Sequence, residues 1–149
     1  MTLPMYKNFF KPEIIISYFG ILPFFFIIID LNLFSLFLPS FLKDFLIFYS
    51  LIIFSFIGAM RWEFSYIDQR IIVLYGFSPS LISTVLIIFN LLEVNQRFIL
   101  LIISFLFILQ LAIDFIICKF YKKEDSFFNF VRIPCTFCIL LTIIYVIFV

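Results

Sequence analysis

The charged residues of this chain lie in narrow bands, and the runs between the bands are long enough to cross a membrane. Ile14 to Ile29, Phe45 to Met60, Ile71 to Leu92, Phe98 to Ile113 and Ile133 to Val149 contain no Lys, Arg, Asp or Glu. A helix rises about 1.5 Å per residue, so roughly 20 apolar residues cross about 30 Å of hydrocarbon. With a few flanking residues, each run reaches that length. The pattern predicts an all-α integral membrane bundle, a single domain over residues 1–149. Its five transmembrane helices are expected at approximately 13–31, 43–62, 71–92, 97–118 and 131–149.

Composition supports the same class. Of the 149 residues 66% are hydrophobic and 13% charged, and the mean hydropathy is +1.29. A soluble domain is about half apolar and about a quarter charged. A water-soluble core has no room for this much Phe, Ile and Leu, so the lipid bilayer must be the solvent for most side chains. The net charge of +1 says nothing about nucleic acid, and with no basic arm or aromatic-interleaved basic patch no nucleic-acid partner is expected.

Several chemistries are excluded too. The chain has no His, which removes the commonest general base and metal ligand. It has no G-x-S-x-G and no Gly-rich phosphate loop. No catalytic, cofactor-binding or metal-binding residue is expected, and the protein is read as non-enzymatic. The three cysteines, Cys118, Cys135 and Cys138, make no disulfide framework. Cys135 and Cys138 form a lone C-x-x-C on an apolar helix, and are read as small packing residues. Lys7 and Lys11 before the first run resemble a signal peptide, but Pro23, Asp30 and Asn32 and the lack of a small-x-small site predict a retained helix.

Five spans put the two ends on opposite sides. Lys7, Lys11, Arg61, Arg70, Lys119, Lys122, Lys123 and Arg132 fall on the N-terminal side, against Lys43 and Arg97 on the other. Cytoplasmic loops hold the Lys/Arg excess, so the N-terminus is expected in the cytoplasm, or the matrix of a mitochondrion, with Val149 at the far face.

Two spans carry internal prolines. Pro23 and Pro79 each free the carbonyl four residues earlier, of Phe19 and Tyr75, and are expected to kink their helices. In lipid such a carbonyl needs a partner, and Ser78 or Ser80 is near enough to help at Pro79. Gly76, Ser80 and Thr84 form a small-residue stripe, echoed by Ser55 and Ala59 in the second span, that would let helices approach closely.

One polar cluster needs explaining. Arg61, Trp62 and Glu63 end the second span, Gln110 and Asp114 lie one turn apart on the fourth, and Arg132 begins the fifth. The topology places all six near the cytoplasmic boundary. An ionised Asp114 there costs a few kcal/mol unless paired. The fourth and fifth spans form a hairpin, so Arg132 returns to the depth of Asp114. Arg61 and Arg132 are both candidate counter-ions, and a structural clasp is the leading reading. A site for an anionic head group or partner is the second, and proton or ion movement the third. The middle of every span lacks ionisable groups, which argues against a pump. Trp62 is explained by an aromatic belt.

The run Tyr49 to Glu63, with Ser55-Phe56-Ile57-Gly58-Ala59 and Trp62, resembles the second-helix signature of the transmembrane protein 69-like family, a domain of unknown function (DUF3429). Gly20-Ile21-Leu22-Pro23-Phe24 resembles its G-L-I-P-F, and Ser78-Pro79-Ser80-Leu81 its L-P-S/A-L. Asp114, then Val131-Arg132 with Thr136, resembles its late D…L-R-x-x-L-T pattern. The order and spacing fit over nearly the whole chain. Ala59 and Glu63 stand where the family has Gly. The resemblance implies a bacterial inner-membrane protein, or a mitochondrial inner-membrane one, and carries no activity. The resulting expectation is a structural, assembly or interaction protein, with other membrane-protein subunits as partners. The alternative is a small-solute or lipid transporter with its site near Asp114 and Arg132.

Overall fold

A computed structural model describes residues 12–59, 69–120 and 131–149. Every regular element among the described residues is helical: α1 (Pro12–Phe19), α2 (Leu22–Ile29), a π turn (Asp30–Phe34), α3 (Pro39–Ala59), α4 (Gln69–Leu91), α5 (Gln96–Phe120) and α6 (Ile133–Phe148). Four stretches are long and apolar enough to cross a membrane: Ser17–Phe34, Pro39–Ala59, Leu74–Leu91 and Gln96–Ile117. The fifth helix, α6, has 16 residues. Arg132 before it already has helical dihedrals, and with the turn at 131–132 the helix reaches about 27 Å, close to a hydrocarbon thickness. Phe19, Leu33, Leu74 and Phe105 are all more than 60% exposed, which in lipid carries no hydrophobic penalty.

The first span departs from the expected 13–31 at both its middle and its end. Pro23 has no N–H to give to the Phe19 carbonyl, and the α-helix is interrupted just before it, between Phe19 and Leu22. The chain instead tightens at Gly20 and Ile21, where the Ile21 N–H bonds the Tyr18 carbonyl at 3.0 Å, and α2 restarts with Pro23 in its first turn. At the far end the charge of Asp30 does not stop the helix. Asp30 is fully buried, and the chain continues through the π turn to Phe34. Ser35 then adopts a left-handed φ of 49°, its N–H bonding the Asp30 carbonyl at 2.7 Å. The Leu36 N–H donates to the Asp30 carboxylate at 3.1 Å. Asp30 caps its own helix end instead of facing water.

The molecule divides into two compact units. The first comprises residues 1–36 and 104–149, the second residues 37–103, so α5 contributes to both. In the first unit α2 packs on α6. Phe24 and Ile27 of α2, Phe107 of α5, and Ile139, Ile143 and Val146 of α6 are buried. The α6 set recurs every three or four residues, the helical period, so one stripe faces inward.

In the second unit α3 and α4 pack along much of their length. The buried set on α3 is Leu42, Leu46, Ile47, Ser50, Leu51, Phe54 and Gly58. On α4 it is Gly76, Pro79, Ser83 and Leu86. The expected stripe of Gly76, Ser80 and Thr84 is therefore turned aside: Gly76 is shared, but Thr84 is exposed and bonds the Ser80 carbonyl of its own helix at 2.9 Å. α4 ends in a tight turn. Glu93 takes a left-handed φ of 58°, and the Glu93 and Val94 N–H groups bond the Asn90 and Phe89 carbonyls, each at 3.1 Å. This satisfies carbonyls the helix end would otherwise leave bare. Asn95 accepts the Arg97 N–H at 2.9 Å and caps α5.

Candidate functional site

Asp114 lies on α5, four residues and so about one turn beyond Gln110. Both are buried, Asp114 completely. Arg132 stands at the entry to α6, and its Nη2 donates to Asp114 Oδ2 in an ion pair. The guanidinium side chain is 11% exposed, so both charges are largely withdrawn from solvent. Taking a carboxylate and a guanidinium out of water costs several kcal/mol each, offset only when they meet with good geometry. Here the hairpin between α5 and α6 provides that meeting. Thr136, one turn along α6 from Arg132, is also buried. Gln110 Nε2 is buried and has no hydrogen-bond partner among the described residues.

Of the six residues expected to cluster, the structure brings Asp114 and Arg132 together and keeps Gln110 on the same buried face. Arg61, Trp62 and Glu63 lie outside the described residues. Of the two kink residues, Pro23 opens α2 after a break in the helix, whereas Pro79 lies inside an uninterrupted α4. The carbonyl freed at Pro79 belongs to Tyr75, and the Ser78 hydroxyl donates to it at 3.3 Å. Cys135 and Cys138 on α6 are free thiols, half-buried.

Three further polar arrangements did not emerge from sequence reasoning. In the second unit Ser83 is buried; its hydroxyl donates to the Leu51 carbonyl at 3.1 Å and accepts from the Ser55 hydroxyl at 2.9 Å. Its available signal was a hydroxyl in the middle of an apolar run, which in lipid demands a partner. Beside it, Gly58 presses on the ring of Pro79 so closely that a Cβ there would stand 2.5 Å from Pro79 Cγ. At the opposite end of α3, Asp44 Oδ1 accepts from Asn90 Nδ2 at 2.9 Å and from Gln96 Nε2 at 2.7 Å. In the first unit, Asn32 donates to the Ile28 carbonyl and accepts the Tyr145 hydroxyl, each at 2.7 Å. Among the described residues no group of three His, Cys, Asp or Glu could hold a metal ion.

Chemically, these are ties between helices. The Asp114–Arg132 pair joins α5 to α6, the serine ladder joins α3 to α4, and Asp44 joins α3 to the α4–α5 turn. A family model described as a protein of unknown function (DUF3429) matches residues 10–148. No curated protein and no solved structure matches the chain significantly.

Proposed function

The chain belongs to the DUF3429 family of proteins of unknown function, and on that premise we propose that it is a non-enzymatic multi-pass membrane protein serving as a structural or assembly partner of a larger membrane complex. The transmembrane protein 69-like subgroup and an inner membrane, bacterial or mitochondrial, are the setting in which we place it, with the N-terminus inside. The observation that supports this reading best is the state of Asp114. It is the carboxylate a transport site would need, and it is buried and held by Arg132. A group that loads and releases cargo has to exchange partners. One withdrawn from solvent and paired with a guanidinium is instead suited to fixing two helices.

One observation favours the transport alternative. Gln110 Nε2 is a buried donor without a partner, one turn from Asp114. An unsatisfied buried donor costs about 1–3 kcal/mol and would be relieved by a ligand oxygen.

Purification in mild detergent, followed by reconstitution into vesicles, separates the two. The assembly reading expects a membrane protein that stays bound at fixed stoichiometry through size-exclusion chromatography, and vesicles of the purified chain that move no solute. A partner-free protein with solute flux abolished by Gln110→Leu would replace it with the transport reading.

A further inference from the structure

The connection between the first two spans is apolar where a loop in water would be polar. Residues 31–42 contain no Lys, Arg, Asp or Glu. Leu33, Phe34, Leu36, Phe37, Leu38 and Phe41 are all exposed, and the three leucines are each 70% exposed or more. Aqueous surfaces rarely carry so continuous an apolar run. The first span ends at Phe34 and α3 begins at Pro39, so only residues 35–38 join them. The steps from Phe34 to Pro39 reach at most roughly 18 Å, so a chain that must return rises no more than roughly 9 Å. The interfacial layer beside the hydrocarbon is itself about 5–7 Å thick on each side. Several polar groups of this stretch are satisfied from within the protein. The Ser35 N–H bonds the Asp30 carbonyl, and the Leu36 N–H bonds the Asp30 carboxylate. Pro39 has no N–H to satisfy. The Asn32 amide donates to the Ile28 carbonyl and accepts the Tyr145 hydroxyl.

We propose that residues 33–41 form an apolar wedge seated in the head-group and upper acyl layer of the bilayer, with phospholipid as its partner, and do not emerge into water. The short reach of the connection keeps it within that layer. A partner in the aqueous phase would have to be met by a projecting loop, and residues 35–38 are too few to project past the head groups. The exposed apolar side chains also continue without a charged break into the lipid-facing surfaces of the adjoining spans. Asp30, the charge closest to the turn on the α2 side, is fully buried. Phe37 and Phe41 stack with ring centroids 5.4 Å apart, which makes one broad apolar surface of the two rings. Interfacial segments bury such surfaces about 5–10 Å into the boundary between head groups and acyl chains. Irregular backbone is not tolerated deeper, where an unbonded N–H has no water to turn to. The two N–H groups held by Asp30 lower that cost and suit the turn to a poorly hydrated layer. The inference rests on the helices spanning a bilayer and stands whether or not the chain is an assembly partner.

The test places the full chain in phosphatidylcholine vesicles and reads the depth of Leu38. Trp62→Phe removes the single native indole, and Leu38→Trp introduces one in the connection. Its emission should lie at shorter wavelength than that of free tryptophan. Lipids brominated on the acyl carbons nearest the glycerol should quench it more than lipids brominated at mid-chain, and aqueous iodide should have almost no effect. Emission like that of free tryptophan, with full iodide quenching, would place the connection in water and overturn the proposal. Protection from iodide and from both brominated lipids would mean that protein covers the wedge, a second copy of the chain in vesicles of the purified protein, and would overturn the lipid assignment. Strongest quenching from mid-chain bromine would also overturn it, because the connection would then cross the hydrocarbon. The wild-type chain provides a reading that depends on no substitution. A phospholipid carrying a photoactivatable diazirine beside its glycerol should leave adducts on residues 36–41, mapped by peptide mass spectrometry. Adducts on the spans with none on 36–41 would refute the wedge even if the indole variant failed to fold.

Discussion

Replacing Gly58 with Ala should separate α3 from α4, and the geometry sets the size of the effect. The new Cβ would lie 2.5 Å from Pro79 Cγ, 3.0 Å from Cβ and 3.2 Å from Cδ. Carbon atoms in contact settle at about 3.5–4.0 Å, so the shortfall is roughly 1 Å. The proline ring cannot swing aside, because it is bonded at both ends to the backbone of α4. The helices must therefore move apart or shift along each other. Overpacking of this kind costs about 1–3 kcal/mol. The displacement also reaches the serine ladder one turn away. The Ser55–Ser83 bond at 2.9 Å and the Ser83–Leu51 bond at 3.1 Å would stretch to about 4 Å, beyond hydrogen-bonding range. Interhelical hydrogen bonds in membranes average about 0.6 kcal/mol, so the two add about 1 kcal/mol. The total is about 2–4 kcal/mol. The assay is reversible unfolding in mixed detergent micelles, run as a cycle with Ser83→Ala. If the helices part, Ser83→Ala should cost less in the Gly58→Ala background than in the wild type. Full additivity, or a Gly58→Ala protein as stable as the wild type, would refute the close approach of α3 and α4 at Pro79.

Other outcomes follow from the same structure. Asp114→Ala should destabilise by about 3 kcal/mol, because it leaves the Arg132 guanidinium largely buried without its carboxylate; Arg132→Ala should cost a similar amount, and the double variant clearly less than the sum, as measured by the same unfolding assay. Tyr145→Phe removes the hydroxyl bond to Asn32, which is exposed, and should cost only about 0.5 kcal/mol. A reporter fused after Val149 should report the non-cytoplasmic side and one inserted near Lys122 the cytoplasmic side; both on one side would refute the five-span topology.

Much of the helical layout was legible because a bilayer imposes it. Backbone groups in hydrocarbon must be satisfied locally, so long apolar runs become helices whatever their neighbours do. The partnership of Asp114 with Arg132 was legible for a related reason. The connection between α5 and α6 is short, a hairpin returns the chain to the same depth, and a carboxylate at that depth needs a cation. The alternative counter-ion, Arg61, lies outside the described residues.

What stayed hidden depends on which face of a helix meets which neighbour. Gly76, Ser80, Thr84 and Gly76, Pro79, Ser83 are both helical repeats, and sequence periodicity gives no means of choosing between them. The choice falls to the second because Gly58 of α3 leaves room for the Pro79 ring, while Thr84 satisfies its hydroxyl on its own backbone and needs no neighbour. The charge of Asp30 reads as a helix end, yet burial beside its own capping N–H groups lets the apolar helix run on to Phe34. Asp44 reads as one more charge at the membrane surface; its two amide donors come from residues 46 and 52 positions away, a separation over which no local pattern extends. The bilayer as solvent, the apolar helices and the need of Asp114 for a cation were legible in the residues, with Arg61 and Arg132 both candidates, since each follows from the energy of placing a group in hydrocarbon. Tertiary structure alone decided the facing surfaces and the amide-held carboxylate, since these follow from steric fit and hydrogen-bond direction between distant segments.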